Sequence, residues 1–271
     1  SPQVVVDAQG RIERIYAGDM RGNLWGFTGA SLTPFKLFAA GKTQPITAQP
    51  TVHAHPDGGH LVLVGTGKLN EASDKLNKDV QAFYAIWDRP TNTSTVALAN
   101  LLQQSLLSEV SISGETYVKT SNTPVNWDTH LGWHLPLTLN GATQGERVIY
   151  PAQVTLGRAV FVTAKVDAND PCESAGSGRL IELDVLSGGM LSYPVLDTNG
   201  DGRVDDRDEI VSGLNINDGL PGQPVIIDGG NDKETQTKII LLSTGETKIV
   251  DEKGAARAAA FSRRIMWRQL Q

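Results

Sequence analysis

Residues 196–210, LDTNGDGRVDDRDEI, gather six acids and two glycines into fifteen positions. Counted from Asp197, oxygen-bearing side chains fall at positions 1, 3, 5 and 9 (Asp197, Asn199, Asp201, Asp205), with Gly202 at 6 and Arg203 at 7. Calcium is a hard cation that takes about six to eight oxygens. This alternation turns every second side chain toward one ion, with a glycine at the sharp turn and a backbone carbonyl at position 7. Asp197, Asn199, Asp201 and Asp205 are therefore the expected side-chain ligands, and Arg203 the expected carbonyl ligand. Val204 follows as the apolar residue that pins such a loop to its domain. Position 12 is Asp208, where helix–loop–helix sites carry a bidentate Glu, and Glu209 is its neighbour. The alternative is an Asp/Asn/Gly-rich surface turn. Without a cation, however, Asp197, Asp201 and Asp205 would repel one another at close range. Magnesium fits less well, because it keeps its waters and takes few carboxylates.

Other spacings carry less. GTGK at 65–68 lacks the first glycine of a phosphate loop, since position 62 is Val, and Leu69 stands where the hydroxyl residue belongs. HAHPDGGH places His53 and His55 on one side of an extended strand with His60 nearby, a pattern that a Pro/Gly turn explains as well as a transition-metal site does. Neither a GxSxG elbow nor an HExxH pair is present. Trp25, Trp87, Trp127, Trp133 and Trp267 are spread one per segment, as anchors between packed elements would be. Nothing here makes a case for catalysis, and the expectation is a protein that is not an enzyme.

The elements that must position the acidic loop are strands. Runs such as RIYAGDMRGNLWGF, with Gly22-Asn23 at its turn, LVLVGTGK with AFYAIWD, AVFVTAKV with GRLIELDVLSGG, and KIILLSTGETKIV are apolar and end in polar turns. Four such pairs form a degenerate β-meander repeat, the mark of propeller blades rather than a sandwich. Four blades stand at the low end for a closed ring of about 4–8 blades, so the C-terminal part of a modified β-propeller is expected, with an N-terminal portion lying outside this sequence. MLSYPV and IVSGLNI, on either side of the acidic loop, read as strands, which splices a calcium loop (197–208) between them. Residues 94–108 carry Val96, Leu98, Leu101, Leu102 and Leu106 at helical spacing, predicting an amphipathic helix inserted between blades. The whole of 1–271 reads as one all-β domain or as the C-terminal part of one.

Composition is that of an ordinary soluble chain: 271 residues, 39% hydrophobic, 20% charged, net charge −6. The acidic balance gives no footprint for nucleic acid or for an anionic membrane surface. No apolar run is long enough to cross a bilayer. The chain starts Ser1-Pro2-Gln3 without a methionine, as a mature product or an excised fragment would. The single cysteine, Cys172, is either a buried thiol or half of a bridge to a region outside this sequence.

Several segments in order resemble the C-terminal β-propeller of the PilY/PilC family of type IV pilus-associated tip adhesins. They are RIYAGDMRGNLWGF, QPITAQPTV before HPDGGHLVLVGTGK, QAFYAIWD, TSNTPVNW with GWHLPL, GERVIYPA, DPCESAGSGRLIELDVLSG and RRIMWRQL. The resemblance implies a periplasmic or cell-surface protein that promotes pilus assembly, opposes retraction, and acts in twitching motility and surface attachment. Its partners would be major or minor pilins and a host or abiotic surface. It also implies a calcium loop of the type read above, with Asp197, Asn199, Asp201 and Asp205 ligating by side chain and Arg203 by its carbonyl. The Arg-Gly-Asp tripeptide of some members is absent. Two other readings remain open at this stage. One is a quinone-dependent propeller oxidoreductase, whose blade motif YAGDMRGNLWGF echoes. The other is a dockerin-like calcium scaffolding module, although dockerins normally carry two such loops and this chain has one.

Overall fold

The computed structural model describes residues 1–29, 31–90, 94–166, 176–228 and 235–254. Cys172 and Trp267 lie outside the described residues. Among those described, the regular structure is nineteen strands and two 3₁₀ turns, Ala72–Leu76 and Leu98–Asn100. They are β1 (Gln3–Val6), β2 (Ile12–Gly18), β3 (Asn23–Thr28), β4 (Thr33–Ala39), β5 (Thr51–Ala54), β6 (His60–Gly65) and β7 (Ala82–Asp88). Next come β8 (Leu102–Gln103), β9 (Leu106–Ile112), β10 (Glu115–Thr120), β11 (Gly132–Pro136), β12 (Gln153–Thr155) and β13 (Arg158–Val162). The last are β14 (Lys165–Val166), β15 (Gly176–Asp184), β16 (Gly213–Ile216), β17 (Val225–Asp228), β18 (Thr235–Leu241) and β19 (Thr247–Lys253).

They form four sheets. The first is the meander β1-β2-β3-β4, and the second has the order β5-β6-β7-β11-β8. The third runs β12-β13-β15-β16-β10-β9 with β14 beside β15, and the fourth is β17-β18-β19. The pleat explains why runs such as AFYAIWD are apolar throughout. In β7, Ala82, Tyr84 and Ile86 enter a core shared with Tyr16, Leu24 and Phe38 of the first sheet. Phe83, Ala85 and Trp87 point the other way, into a core shared with Ala159, Phe161, Ile181 and Leu183 of the third. The rings of Phe83 and Phe161 stack across that interface, 4.0 Å apart and 2° from parallel. The third sheet repeats the device, with Val160, Val162 and Leu180 facing Ile240 and Val250 of the fourth. Inner sheets buried on both faces need continuous apolar strands rather than alternating ones. Four sheets stacked face to face are the blade arrangement of a β-propeller, here with β9 and β10 of the third sheet preceding β11 of the second in the chain.

The first turn shows why its residues are Gly-Asn. Gly22 has φ +74°, and a Cβ there would sit 2.2 Å from the Gly41 carbonyl oxygen. The backbone must pass too close, in a left-handed conformation, for any other residue.

The expected helix at 94–108 is not formed. A 3₁₀ turn at Leu98–Asn100 leads into β8 and β9. The reason is that its apolar residues serve two cores rather than one. Val96 and Leu101 pack between the first and second sheets, whereas Leu106 packs between the second and third, and Leu98 is exposed. Strand pairing decides the outcome: Val96 bridges Phe38, β8 runs parallel to β11, and β9 pairs with β10. Fully buried Gln104 fixes the crossing, donating from Nε2 to the carbonyls of Thr123 and Ser187 and accepting from the Ser121 hydroxyl.

The interface between the third and fourth sheets also encloses charge. Lys238 of β18 is paired with Glu182 (2.6 Å) and with Glu252, and Arg158 lies 3.4 Å from Glu182, all with fully buried side chains. Among the described residues no helix is long and apolar enough to cross a membrane.

Candidate metal centre

The acidic loop hangs in the long connection between β15 and β16, anchored at both feet. Val195, Leu196 and Val211 are buried, Leu196 bridges Glu252, and Lys253 N–H donates to the Val195 carbonyl at 3.0 Å. On the other side the β9–β10 hairpin reaches it. The Tyr117 hydroxyl donates to the Asp197 carbonyl (3.3 Å), and Lys119 pairs with Glu209 (2.9 Å). IVSGLNI forms β16 as expected, whereas MLSYPV is irregular and is followed by an isolated bridge at Leu196. The loop thus sits where the third sheet meets the fourth.

Within it, short polar side chains fold the backbone around themselves. Asp197 accepts from the Gly200 and Gly202 N–H groups at 2.7 and 2.8 Å, Asn199 from Asp201 N–H at 2.9 Å, and Asp201 from Arg203 N–H at 3.0 Å. Gly202 has φ +79°, the left-handed conformation that its place in the spacing requires. Val204 is half-buried and Arg203 exposed.

Two residues carry roles that the spacing did not assign. Asp208 is buried and braces the loop closed. Its Oδ1 accepts from Thr198 N–H (2.8 Å), the Thr198 hydroxyl (3.2 Å) and Asn199 N–H (3.2 Å), and its Oδ2 from Asp205 N–H (2.9 Å). Arg207 Nη2 lies 2.7 Å from both Asp201 Oδ2 and Asp205 Oδ2. The Arg207 hydrogen bonds hold the Asp205 carboxyl down at about 2, and Asp205 and Asp201 in turn raise the guanidinium.

Two of the predicted ligand carboxylates are therefore already gathered about one positive charge, supplied by the chain itself. The remaining donors, Asp197 and Asn199, face backbone N–H groups, and among the described residues no set of three carboxylates, histidines or cysteines is assembled as a metal site. The donor set, three carboxylates and an amide oxygen, is the hard-oxygen chemistry of calcium. Arg207, its side chain 63% exposed, supplies the one cationic nitrogen that these two carboxylates share.

The histidines do not converge. His55 stacks on Trp87 (3.9 Å between centroids) and meets Trp127 edge-on (4.3 Å), while His60 faces Glu13 and Tyr16. Trp87 and Trp133 are buried anchors, as expected, but the joining of Trp87, Trp127 and His55 into one cluster had no local signal in the sequence.

No family model matches the chain. It is 30% identical over 279 residues to a type IV pilus biogenesis factor PilY1 homolog of Xylella fastidiosa, covering 97% of this chain and 21% of that protein. It is 28% identical over 251 residues to the type IV pilus biogenesis factor PilY1 of Pseudomonas aeruginosa, covering 75% of this chain and 22% of that protein. The solved C-terminal domain of P. aeruginosa PilY1 superposes with a TM-score of 0.74 at 25% identity, over 94% of this chain and 60% of that one. This chain belongs to the PilY1 family, in its C-terminal domain. It spans about a fifth of the length of these curated relatives. The all-β propeller reading and the resemblance to the PilY/PilC family are both borne out.

Proposed function

We propose that this part of a PilY1-family C-terminal domain is a non-catalytic, calcium-binding element of a type IV pilus biogenesis protein acting in the periplasm or at the cell surface. The pilus role rests on the two relatives, both described as pilus biogenesis factors. Calcium rests on one observation above all, the convergence of Asp201 and Asp205 on a single cationic nitrogen 2.7 Å from each. Asp197, Asn199, Asp201 and Asp205 would hold the ion by their side chains and Arg203 by its carbonyl. Bound calcium supplies charge that cancels the repulsion of three carboxylates. The chain's own residues do the rest. Asp208 keeps the loop closed, while Leu196 and Tyr117 tie its order to the fourth sheet and to the β9–β10 hairpin. That ordered surface is what pilus components, major or minor pilins, would read in favouring extension over retraction, and with it twitching motility and attachment to a host or abiotic surface.

The test is to introduce Asp201→Ala into the full-length protein in its own host, then count surface pili and measure twitching. Fewer pili and slower spreading at unchanged protein level support the reading. Wild-type piliation and motility would overturn the coupling of this loop to the pilus.

A further inference from the structure

On the face of the third sheet that packs on the second, β15 and β16 run past the apolar core and line a crevice of about 330 Å³ with polar side chains. Buried Glu146 accepts from the Thr163 hydroxyl (2.5 Å) and from Arg179. Arg179 also donates to Asn215 Oδ1 (3.1 Å) and Glu109 Oε1 (2.8 Å), so its guanidinium is held in place by three acceptors. Asn215 donates to that same Glu109 oxygen at 2.8 Å, and Lys165 donates to Gln144 Oε1 at 3.0 Å.

These bonds leave a defined remainder. Arg179 carries a second N–H on each of Nη1 and Nη2, Gln144 keeps its amide donors, and Glu109 keeps Oε2 as an acceptor. Among the described residues, the side chains of Asn217 and Ser177, which line the same crevice, make no hydrogen bond within the protein. Charge decides between ligand classes. The two carboxylates, Glu109 and Glu146, balance the two cations, Lys165 and Arg179, so neither an anion nor a cation is favoured. Fixed donors beside a fixed acceptor suit a group that both donates and accepts, which is a hydroxyl. The volume lies at the lower end of the roughly 300–1,000 Å³ of small-molecule sites. We propose that this crevice binds a neutral saccharide, its adjacent hydroxyls accepting from Arg179 and Asn217 and donating to Glu109. The proposal stands apart from the calcium reading, because none of its residues belongs to the acidic loop.

The experiment is a two-dimensional ¹H–¹⁵N NMR titration of the full chain with the methyl glycosides of glucose, galactose, mannose and N-acetylglucosamine, each to about 50 mM, a level that detects millimolar dissociation constants. The expected result is that at least one glycoside gives saturable fast-exchange shifts confined to the crevice, that is to residues of β9, β10, β14, β15 and β16, to residues 139–146 and to Asn217, with Kd about 1–10 mM. Gln144→Ala/Asn217→Ala, at two exposed positions, should keep the spectrum of a folded chain and lose most of those shifts. No saturable shift with any of the four glycosides overturns the proposal. Shifts that persist unchanged in the double variant, or that map elsewhere, overturn it as well.

Discussion

Asp208 separates the bracing of the acidic loop from the calcium ligation proposed for it. Replacing it with Ala removes four hydrogen bonds at once, from Thr198 N–H, the Thr198 hydroxyl, Asn199 N–H and Asp205 N–H. Thr198 is 1% exposed, so its N–H and hydroxyl cannot turn to water, whereas Asn199 and Asp205 are accessible enough to be rehydrated. A hydrogen bond to a charged group contributes about 1.5–3 kcal/mol, and an orphaned buried donor costs about 1–3 kcal/mol. Counting the buried pair in full and the others lightly gives a loss of about 3 kcal/mol. At this chain length that is a fall in Tm of about 6 °C. Asp201→Ala removes only exposed partners and should leave Tm within about 1 °C in chelator. The assay is calorimetric melting of both variants beside the wild type in excess chelator. If Asp208→Ala melts with the wild type, the brace does not exist. If Asp208→Asn abolishes calcium binding without moving Tm, Asp208 is a ligand and its position-12 role in the spacing stands.

Three further outcomes follow from the same structure. Arg207→Ala should tighten calcium binding by about 3-fold, the scale of an exposed ion pair that the ion no longer has to displace, and calorimetry showing weaker or unchanged affinity would remove Arg207 from the ion's place. His134, 7% exposed and stacked beside Tyr84, is pushed down to about 4 by burial. The folded state therefore binds fewer protons than the unfolded one between about pH 6.5 and 4, so the stability from neutral His134 is complete above 6.5 and is lost as pH falls. Urea melts at pH 7 and pH 4.5 should differ by about 2–3 kcal/mol from this residue, a difference that His134→Phe should remove and that an equal loss in the variant would assign elsewhere. Lys238→Met strands Glu182 and Glu252 with Arg158 alone and should cost about 3–5 kcal/mol, with Lys238→Met/Glu252→Met recovering part of it; additive losses in urea melts would contradict the coupling.

What the sequence showed of the fold was what a strand records locally. AFYAIWD is apolar at every position because its two faces enter two cores, and that continuity is visible without coordinates. The segment at 94–108 misleads for the same reason. Val96, Leu101 and Leu106 mimic a helical stripe, yet they serve different interfaces, and only long-range pairing with Phe38 and with β11 reveals it. In the loop, the spacing of Asp197, Asn199, Asp201 and Asp205 was legible because alternation and the glycine at 202 are local properties. The part played by Arg207 was not. Which carboxylates an arginine reaches depends on how the loop curls, and that curl is set by Asp208 closing onto Thr198. The saccharide crevice was equally hidden, since Glu109, Glu146, Arg179 and Asn215 come from four separate segments.

The most direct test of the calcium claim is isothermal titration of calcium into the chelator-stripped chain beside Asp201→Ala. The account predicts one site of micromolar or tighter affinity in the wild type and none in a variant whose melting is unchanged. No binding heat in the wild type at any temperature tried would contradict it, leaving the loop a surface turn closed by its own arginine.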